Sequence, residues 1–231
     1  MKIGTEFSKY ANSYASYNII QNKVIKHLLK KNFHKPKNIL DLGCGDGSLV
    51  KNIDWKYKYF TGIDFAKGML ELHPKSKKIQ CIYGDFNDKR LFESLKTYNY
   101  DFIFSASALQ WATDLDKVFK NIKQLEAPIS LAIFTSNTFK TINKTAKIES
   151  ILKSADYINK LQKKYFNANF EIINYKLEFN NTKEMFRYIK KSGVSGSRNV
   201  LSYKQTKDLI KNYPLSYLEF EVVFITSFSA S

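Results

Sequence analysis

From Ile39 to Val50 the chain reads Ile-Leu-Asp-Leu-Gly-Cys-Gly-Asp-Gly-Ser-Leu-Val, and few folds accommodate such a stretch. A short apolar strand runs into glycines at 43, 45 and 47, and a helix is expected to begin near Ser48. Glycine permits a tight turn and lets a ligand come close to the backbone. A helix start beyond the loop presents N–H groups that lack partners within the helix. Strand, glycine-rich loop and helix together form the first half of a nucleotide-binding βαβ unit. The dinucleotide pattern G-x-G-x-x-G fails because position 48 is Ser, and the P-loop fails because no Gly-Lys-Ser/Thr follows. What fits is D-x-G-x-G-x-G, with Asp41 ahead of the glycines. An acid at that point suits a cationic ligand better than a pyrophosphate.

The rest of the chain alternates strands and helices in the manner of a doubly wound α/β domain. A helix is expected over Tyr14–Asn32, where Ile20, Val24 and Leu28 recur at helical spacing with Ile25 and Leu29 beside them. Strands follow at Asn38–Leu42, Tyr59–Ile63, Ile79–Tyr83, Tyr100–Ser105 and Ile129–Thr135, separated by helices at Ser48–Ile53, Ala66–Leu72, Asp88–Leu95 and Leu115–Leu125. The run Ile129–Thr135 is predominantly apolar, as a buried parallel strand should be. Residues 137–167 then break the alternation and read as two helices, Thr138–Ser154 and Ala155–Lys164. An insertion after the fifth strand lies above the carboxyl edge of the sheet, which makes it a candidate lid. A strand at Glu171–Leu177, helices at Thr182–Lys191 and Tyr203–Lys211, and a last strand at Ser216–Thr226 complete the pattern, with Gly193 a natural C-cap. We expect a single domain over 1–231, with 1–36 as its N-terminal helical segment.

Net charge is +16, nearly all of the basic residues being Lys, since Arg occurs only at 90, 187 and 198. A solvated lysine coat and attraction to a polyanion, nucleic acid or an acidic protein, both account for this charge. No apolar run is long enough to span a bilayer, and the N-terminus has no apolar signal core, so the expectation is a soluble cytoplasmic protein. Cys44 and Cys81 give no disulfide framework, and His27, His34 and His73 give no zinc pattern, so no metal is expected.

The ordered set of Asp41, the three glycines, Asp64 and Asp85, each at the end of an expected strand, resembles class I S-adenosylmethionine (SAM) methyltransferases. Asp64 ends the second strand, where an acid can accept both ribose hydroxyls. Asp85 after the third strand can accept from an adenine amino group, and the backbone of Phe86 can meet the ring edge. The expected cofactor residues are Asp41, Gly43, Cys44, Gly45, Asp64, Phe65, Asp85, Phe86, Ser105, Ala106 and Gln110. Cys44 counts as a small packing residue in the loop, not a nucleophile. Ser105 and Ala106 would line the methionine side through their carbonyls. Gln110-Trp111 could pack against the cofactor or close the face of the next helix. Ser105-Ala-Ser-Ala lacks the Asn/Asp-Pro-Pro-Tyr/Phe used for amino-nitrogen methylation, and no Pro-Cys or Thr-Cys exists for cytosine C5 chemistry. No dedicated base stands out. That is tolerable when the acceptor is a carboxylate, which is nucleophilic at neutral pH and needs mainly alignment. Arginine's planar fork suits a carboxylate acceptor. Arg90 reads as a surface residue and Arg198 falls in a polar loop. Arg187, flanked by Phe186 and Tyr188 in an expected helix, is open to a clamp or an ion pair.

Four stretches together resemble the malonyl-acyl-carrier-protein O-methyltransferase (BioC) family of biotin synthesis. They are Phe7-Ser-Lys9-Tyr-Ala11-Asn-Ser-Tyr14, the glycine loop, Ser105-Ala-Ser-Ala-Leu109-Gln110-Trp111, and the C-terminal third. The last comprises Phe186-Arg187-Tyr-Ile189-Lys190-Lys-Ser-Gly193 and Tyr213-Pro214-Leu215-Ser-Tyr217, and it is the specific one. The chain departs from the family at Leu125-Glu-Ala-Pro128 before strand five, at Ala106 in place of Asn, and at Lys9 in place of Arg. The resemblance implies a Rossmann-like class I fold, a seven-stranded, mostly parallel sheet with its last strand antiparallel. It also implies transfer of methyl from SAM, leaving S-adenosylhomocysteine, to the free carboxyl of malonyl thioester on acidic acyl carrier protein. Tyr14 would close over the donor or the malonyl group, and Arg187 would clamp the carboxylate. A monomer without membrane or nucleic-acid partners is expected. The rival readings are a methyltransferase for another small acid, an RNA methyltransferase, whose binding would be salt-sensitive, and a SAM-binding subunit without turnover.

Overall fold

The computed structural model describes residues 18–30, 35–191 and 201–227, with the backbone alone for 190 and 191. Seven strands form one sheet: β1 Asn38–Leu42, β2 Tyr59–Asp64, β3 Ile79–Tyr83, β4 Phe102–Ala106, β5 Ile129–Phe134, β6 Asn169–Glu178 and β7 Tyr217–Thr226. Their spatial order is β3-β2-β1-β4-β5-β7-β6. The first five are parallel, and β7 runs antiparallel between β5 and β6. This is the seven-stranded, mostly parallel α/β sheet with its last strand antiparallel that the resemblance implied. Because β6 is antiparallel to an antiparallel strand, it points the same way as β5. Its last residue Glu178 pairs with Tyr217, the first residue of β7, at the edge where β1 to β5 also end.

The helices are α1 Ile19–Lys30, α2 Ser48–Lys51, α3 Lys67–Leu72, α4 Lys89–Leu95, α5 Leu115–Lys123, α6 Lys140–Ala146, α7 Ala155–Tyr165, α8 Thr182–Lys191 and α9 Tyr203–Asn212. Each face of the sheet carries its own apolar cluster. One holds Ile20, Val24, Ile25 and Leu28 of α1 against Ile39, Phe60, Phe102 and Phe104, with Met185 and Tyr188 of α8 and Leu209 of α9. The other holds the α5 stripe Leu115, Val118, Phe119 and Ile122 with Phe92 of α4, Ile158 of α7 and Leu40, Leu42 and Ile63 of the strands. All six residues of β5 are buried, whereas β6, at the sheet's edge, alternates between half-buried and exposed. A strand covered on both faces must be apolar throughout, and a one-sided edge strand need not be.

The expected lid, 137–167, divides into two helices with different neighbours. α6 packs near α9, and α7 packs on α5, where Lys164 and Tyr165 both bond Asp116. The first of the two is shorter than expected over Thr138–Ser154, because Lys147 takes a left-handed conformation and ends it. Beyond it Ser150 accepts from the Leu152 N–H and Ser154 from the Tyr157 N–H. Such side-chain bonds compete with the helix ladder and favour a turn and a new N-cap. The α6 entry is tied to β7: Thr135 and Asn137 donate to the Glu221 carboxylate, and the Thr141 N–H donates to Glu219. Of the expected N-terminal helix, Ile19–Lys30 is observed, and its outer parts lie outside the described residues.

Candidate active site

In an open parallel sheet the ligand crevice lies at the carboxyl ends of the strands where the order reverses. Here that point falls between β1 and β4. The glycine loop leaves β1, residues 106–108 leave β4, and the two loops touch. A Cβ on Gly43 would stand 2.1 Å from that of Ala108, and Gly43 has φ +78°. No other residue fits there.

The loop's own hydrogen bonds decide what charge it can accept. The N–H groups of Gly43 and Cys44 donate to Ile63 O, at 2.8 and 2.9 Å. Gly45 N donates to Asp64 Oδ2 at 2.9 Å, Gly47 N to Cys44 O, and Ser48 N to Asp46 Oδ1. The unpaired donors expected at the start of α2 are therefore used at residues 43, 44, 45, 47 and 48. An anion would find few donors, which agrees with the failure of the phosphate-binding patterns. What the loop offers is acceptors. Asp41 is 1% exposed, and its Oδ1 has no hydrogen-bond partner among the described residues. Burial, and then the charge of Asp64, push the Asp41 carboxyl well above the ordinary carboxylate range. Burial also raises Asp64, while its bonds from the Ala66 and Gly45 N–H groups oppose the rise. Each Asp64 oxygen accepts one backbone bond and keeps a lone pair for a further donor.

Two adjoining clefts meet at Gly43, Gly45 and Ala106. The first, of about 450 Å³, is walled by Asp64, Phe65, Met69, Phe86, Ser107 and Trp111. It combines an acid pair of lone electrons with apolar and aromatic walls, as a nucleoside requires. The second, of about 350 Å³, is walled by Asp41, Cys44, Asp46 and Ser48 and by Asn18, Gln21 and Ile25 from the start of α1. A larger open cleft of about 1170 Å³ lies at the opposite, amino edge, between Asn38, Tyr59, Lys78 and Tyr98. It touches none of the glycine loop, so size alone does not mark the site.

Of the expected residues, Asp41, Gly43, Cys44, Gly45, Asp64, Phe65, Phe86 and Ala106 therefore line the paired clefts. Cys44 is buried, and its thiol is pushed up by burial and by Asp41, which leaves it a poor nucleophile. Ser105 sits behind the site: fully buried, it donates to Leu42 O at 2.6 Å and ties β4 to β1. Gln110 bonds back to Ser107 O, and it is Trp111 that faces the first cleft. Asp85 is exposed and accepts from Asn87, whose amide oxygen in turn receives Thr113, so it braces the rim loops. Arg187 is exposed on α8 and lines neither cleft. Tyr14 lies outside the described residues. Asn18, Gln21, Met69 and Ser107 are wall residues that the sequence did not point to, whereas Trp111 was one of two open alternatives. Ser107 has φ +61° and a buried hydroxyl without a partner among the described residues, both common where a backbone is shaped around a ligand.

Residues 40–134, from β1 through β5, match a family described as a methyltransferase domain. The malonyl-[acyl-carrier protein] O-methyltransferase of Anoxybacillus flavithermus is 33% identical over 46% of this chain and 41% of its own length. That of Bacillus cytotoxicus is 26% identical over 89% of this chain and 79% of its own. In structure, the chain is similar to phosphoethanolamine N-methyltransferase 2 of Haemonchus contortus, determined in complex with SAM. The TM-score is 0.55 and the identity 14%, over 94% of this chain and 56% of that one. No helix among the described residues is long and apolar enough to cross a membrane.

Proposed function

We propose that this chain is a SAM-dependent methyltransferase of class I fold that methylates the free carboxylate of a malonyl thioester on acyl carrier protein, a cytoplasmic step early in biotin synthesis. The alignment with the Bacillus cytotoxicus malonyl-[acyl-carrier protein] O-methyltransferase carries the reading, since it extends over 89% of this chain and so past the generic methyltransferase domain. The chemistry of the clefts agrees with it. Among the described residues, their titratable wall residues are Asp41, Cys44, Asp46 and Asp64, with no histidine or lysine. Asp46 is already bonded by Ser48 and Lys51, and the others are buried. A site with no free base suits an acceptor that is already an anion.

Bound SAM supplies an electrophilic methyl group on a sulfonium. An acceptor carboxylate oxygen would take that methyl group as the carbon–sulfur bond broke, the electron pair remaining on sulfur, so that the protein need move no proton. The protein's task is alignment and exclusion of water. Gly43 and Gly45 let the ligand come close to the backbone, and the lone pairs of Asp64 suit ribose hydroxyls. Met69, Phe86 and Trp111 supply apolar walls for a ring. Segment 137–167 remains the candidate lid, and its α6 part leaves the sheet at the carboxyl edge. α8 starts from that same edge, which keeps Arg187 the candidate carboxylate clamp and Tyr14 the candidate cover. The acidic carrier protein gives the lysine coat a partner.

The test is methyl transfer from labelled SAM to malonyl-, acetyl- and succinyl-acyl carrier protein. Base-labile label on the malonyl form alone is expected. Retained SAM binding with no label on any carrier would overturn the proposal and direct the search to free acids.

A further inference from the structure

We propose that Gln21, on the helix preceding the sheet, is a cofactor-specificity residue that accepts a hydrogen bond from the ammonium of the ligand's amino-acid end, together with Asp41. This rests on the SAM reading of the clefts and not on the identity of the methyl acceptor.

The buried face of α1 consists of Ile20, Val24, Ile25 and Leu28, each at most 5% exposed, and one polar exception. That exception is Gln21, 7% exposed, four residues before Ile25 and seven before Leu28, squarely on the apolar stripe. Its Oε1 is buried and has no hydrogen-bond partner among the described residues. Leaving such an acceptor unsatisfied opposes folding, because its lost hydration is not replaced. An apolar residue would avoid that cost, and the four neighbours on this face are apolar. Gln21 lines the second cleft, opposite the glycine loop, with Ile25 beside it.

The same cleft holds Asp41, whose Oδ1 is likewise buried and unpartnered. Two orphaned acceptors facing one cavity call for a donor with several hydrogens. The N–H groups of Gly43, Cys44, Gly45, Gly47 and Ser48 cannot answer them, being committed to Ile63, Asp64, Cys44 and Asp46. A primary ammonium has three hydrogens and a positive charge, which matches one carboxylate and one amide oxygen. Asn18, one turn earlier, lines the cleft as well, and its side-chain oxygen is occupied by Asn22 Nδ2 at 2.8 Å. Gln21 is therefore the group on α1 whose acceptor is free for the ligand. The adenosine half meets the other cleft, so the two clefts divide one ligand between the sheet's switch point and α1.

The division supplies the test. S-adenosylhomocysteine carries the ammonium, and 5′-methylthioadenosine has the same nucleoside and sulfur without it. Calorimetry of both ligands on the full chain, wild type and Gln21→Met, separates a ligand contact from a structural role. The expected result is about tenfold weaker S-adenosylhomocysteine binding, unchanged methylthioadenosine binding, and an unchanged or higher Tm. Gln21→Glu, which keeps an acceptor oxygen in place, is expected to restore S-adenosylhomocysteine affinity. Equal loss for both ligands, or no loss for either, would overturn the assignment. Wild-type binding of S-adenosylhomocysteine is the independent check of the cofactor reading, and no carrier protein enters the experiment.

Discussion

Asp41 shows how one buried side chain can oppose the stability of the free protein and serve its complex. Its carboxyl is raised by desolvation and by Asp64, so the folded free protein holds its proton more tightly than the unfolded chain does. Stability from this group is fully present below the ordinary carboxylate pKa of about 3.9 and is lost as pH rises through the raised folded value. A cationic ligand reverses the preference, because it favours the carboxylate. Binding of S-adenosylhomocysteine is thus expected to release a proton and to tighten with rising pH across that window, as calorimetry in buffers of different ionisation enthalpy would detect. Asp41→Asn should flatten the pH profile, weaken binding by about tenfold or more and raise the Tm of the free protein. For Arg187, exposed on α8, the clamp role predicts that Arg187→Ala raises KM for malonyl-acyl carrier protein by about tenfold and leaves S-adenosylhomocysteine affinity alone. A loss shared by both ligands would mean that α8 had been disturbed instead. At this scale the sequence marks a residue only when its place in a motif reveals it. Asp41 and Asp64 stand beside glycines or at a strand end. Gln21 carries a different signal, a polar residue on an apolar helical stripe, which becomes meaningful once the stripe is seen to face the glycine loop. Asp85 occupies a motif position and yet points to Asn87, a choice made by local side-chain bonding that spacing does not encode.

The glycine loop carries the element scale. Its positive φ at Gly43 and the approach of Ala108 act together, so Gly43→Ala meets both backbone strain and a hard contact. A cost of about 2–4 kcal/mol is expected, which for a domain of this size lowers Tm by roughly 5–15 °C, with cofactor binding lost. Ala108→Gly in the same chain should recover the part due to the contact and not the part due to φ, and thermal melts of the single and double variants would separate them. Strands were legible because β1 to β5 are short, largely apolar runs, the first three ended by an acid or a glycine. Helix ends were legible where a cap is coded, as Asp88 and Asp114 show by accepting from Arg90 N and Lys117 N. The stretch 147–154 was not, because Lys147 turns left-handed without glycine's signature, and Ser150 and Ser154 take up backbone donors that a continuous helix would have used.

For the whole molecule the net charge of +16 has a kinetic consequence. Between about 50 and 500 mM salt the screening length shrinks roughly threefold. If an acidic carrier protein is the partner, kcat/KM on malonyl-acyl carrier protein should fall about tenfold over that range. The value on malonyl-pantetheine, which carries the acceptor carboxylate and no protein surface, should fall far less. Equal salt dependence for the two substrates would remove the carrier surface from the explanation. The fold class itself was legible from the alternation of elements and the loop after β1. The direction of β6, which brings α8 to the same edge as the glycine loop, could not be read from alternation, since a strand's polarity in the sheet depends on which neighbour it joins.

That neighbour is β7, and it enters last in sequence order although it is interior in the sheet. On a ribosome, β1 to β5 and their helices emerge first and can assemble the cofactor clefts. β5, apolar on both faces, then waits with one row of backbone groups unpaired until β7 arrives. β6 waits as well, because among the described residues β7 is its one partner in the sheet. Half of the molecule can therefore acquire its ligand pocket while the other half is still being made. In the meantime β5 is a sticky seam, which the nascent chain must keep from pairing with another copy until the final strand closes it.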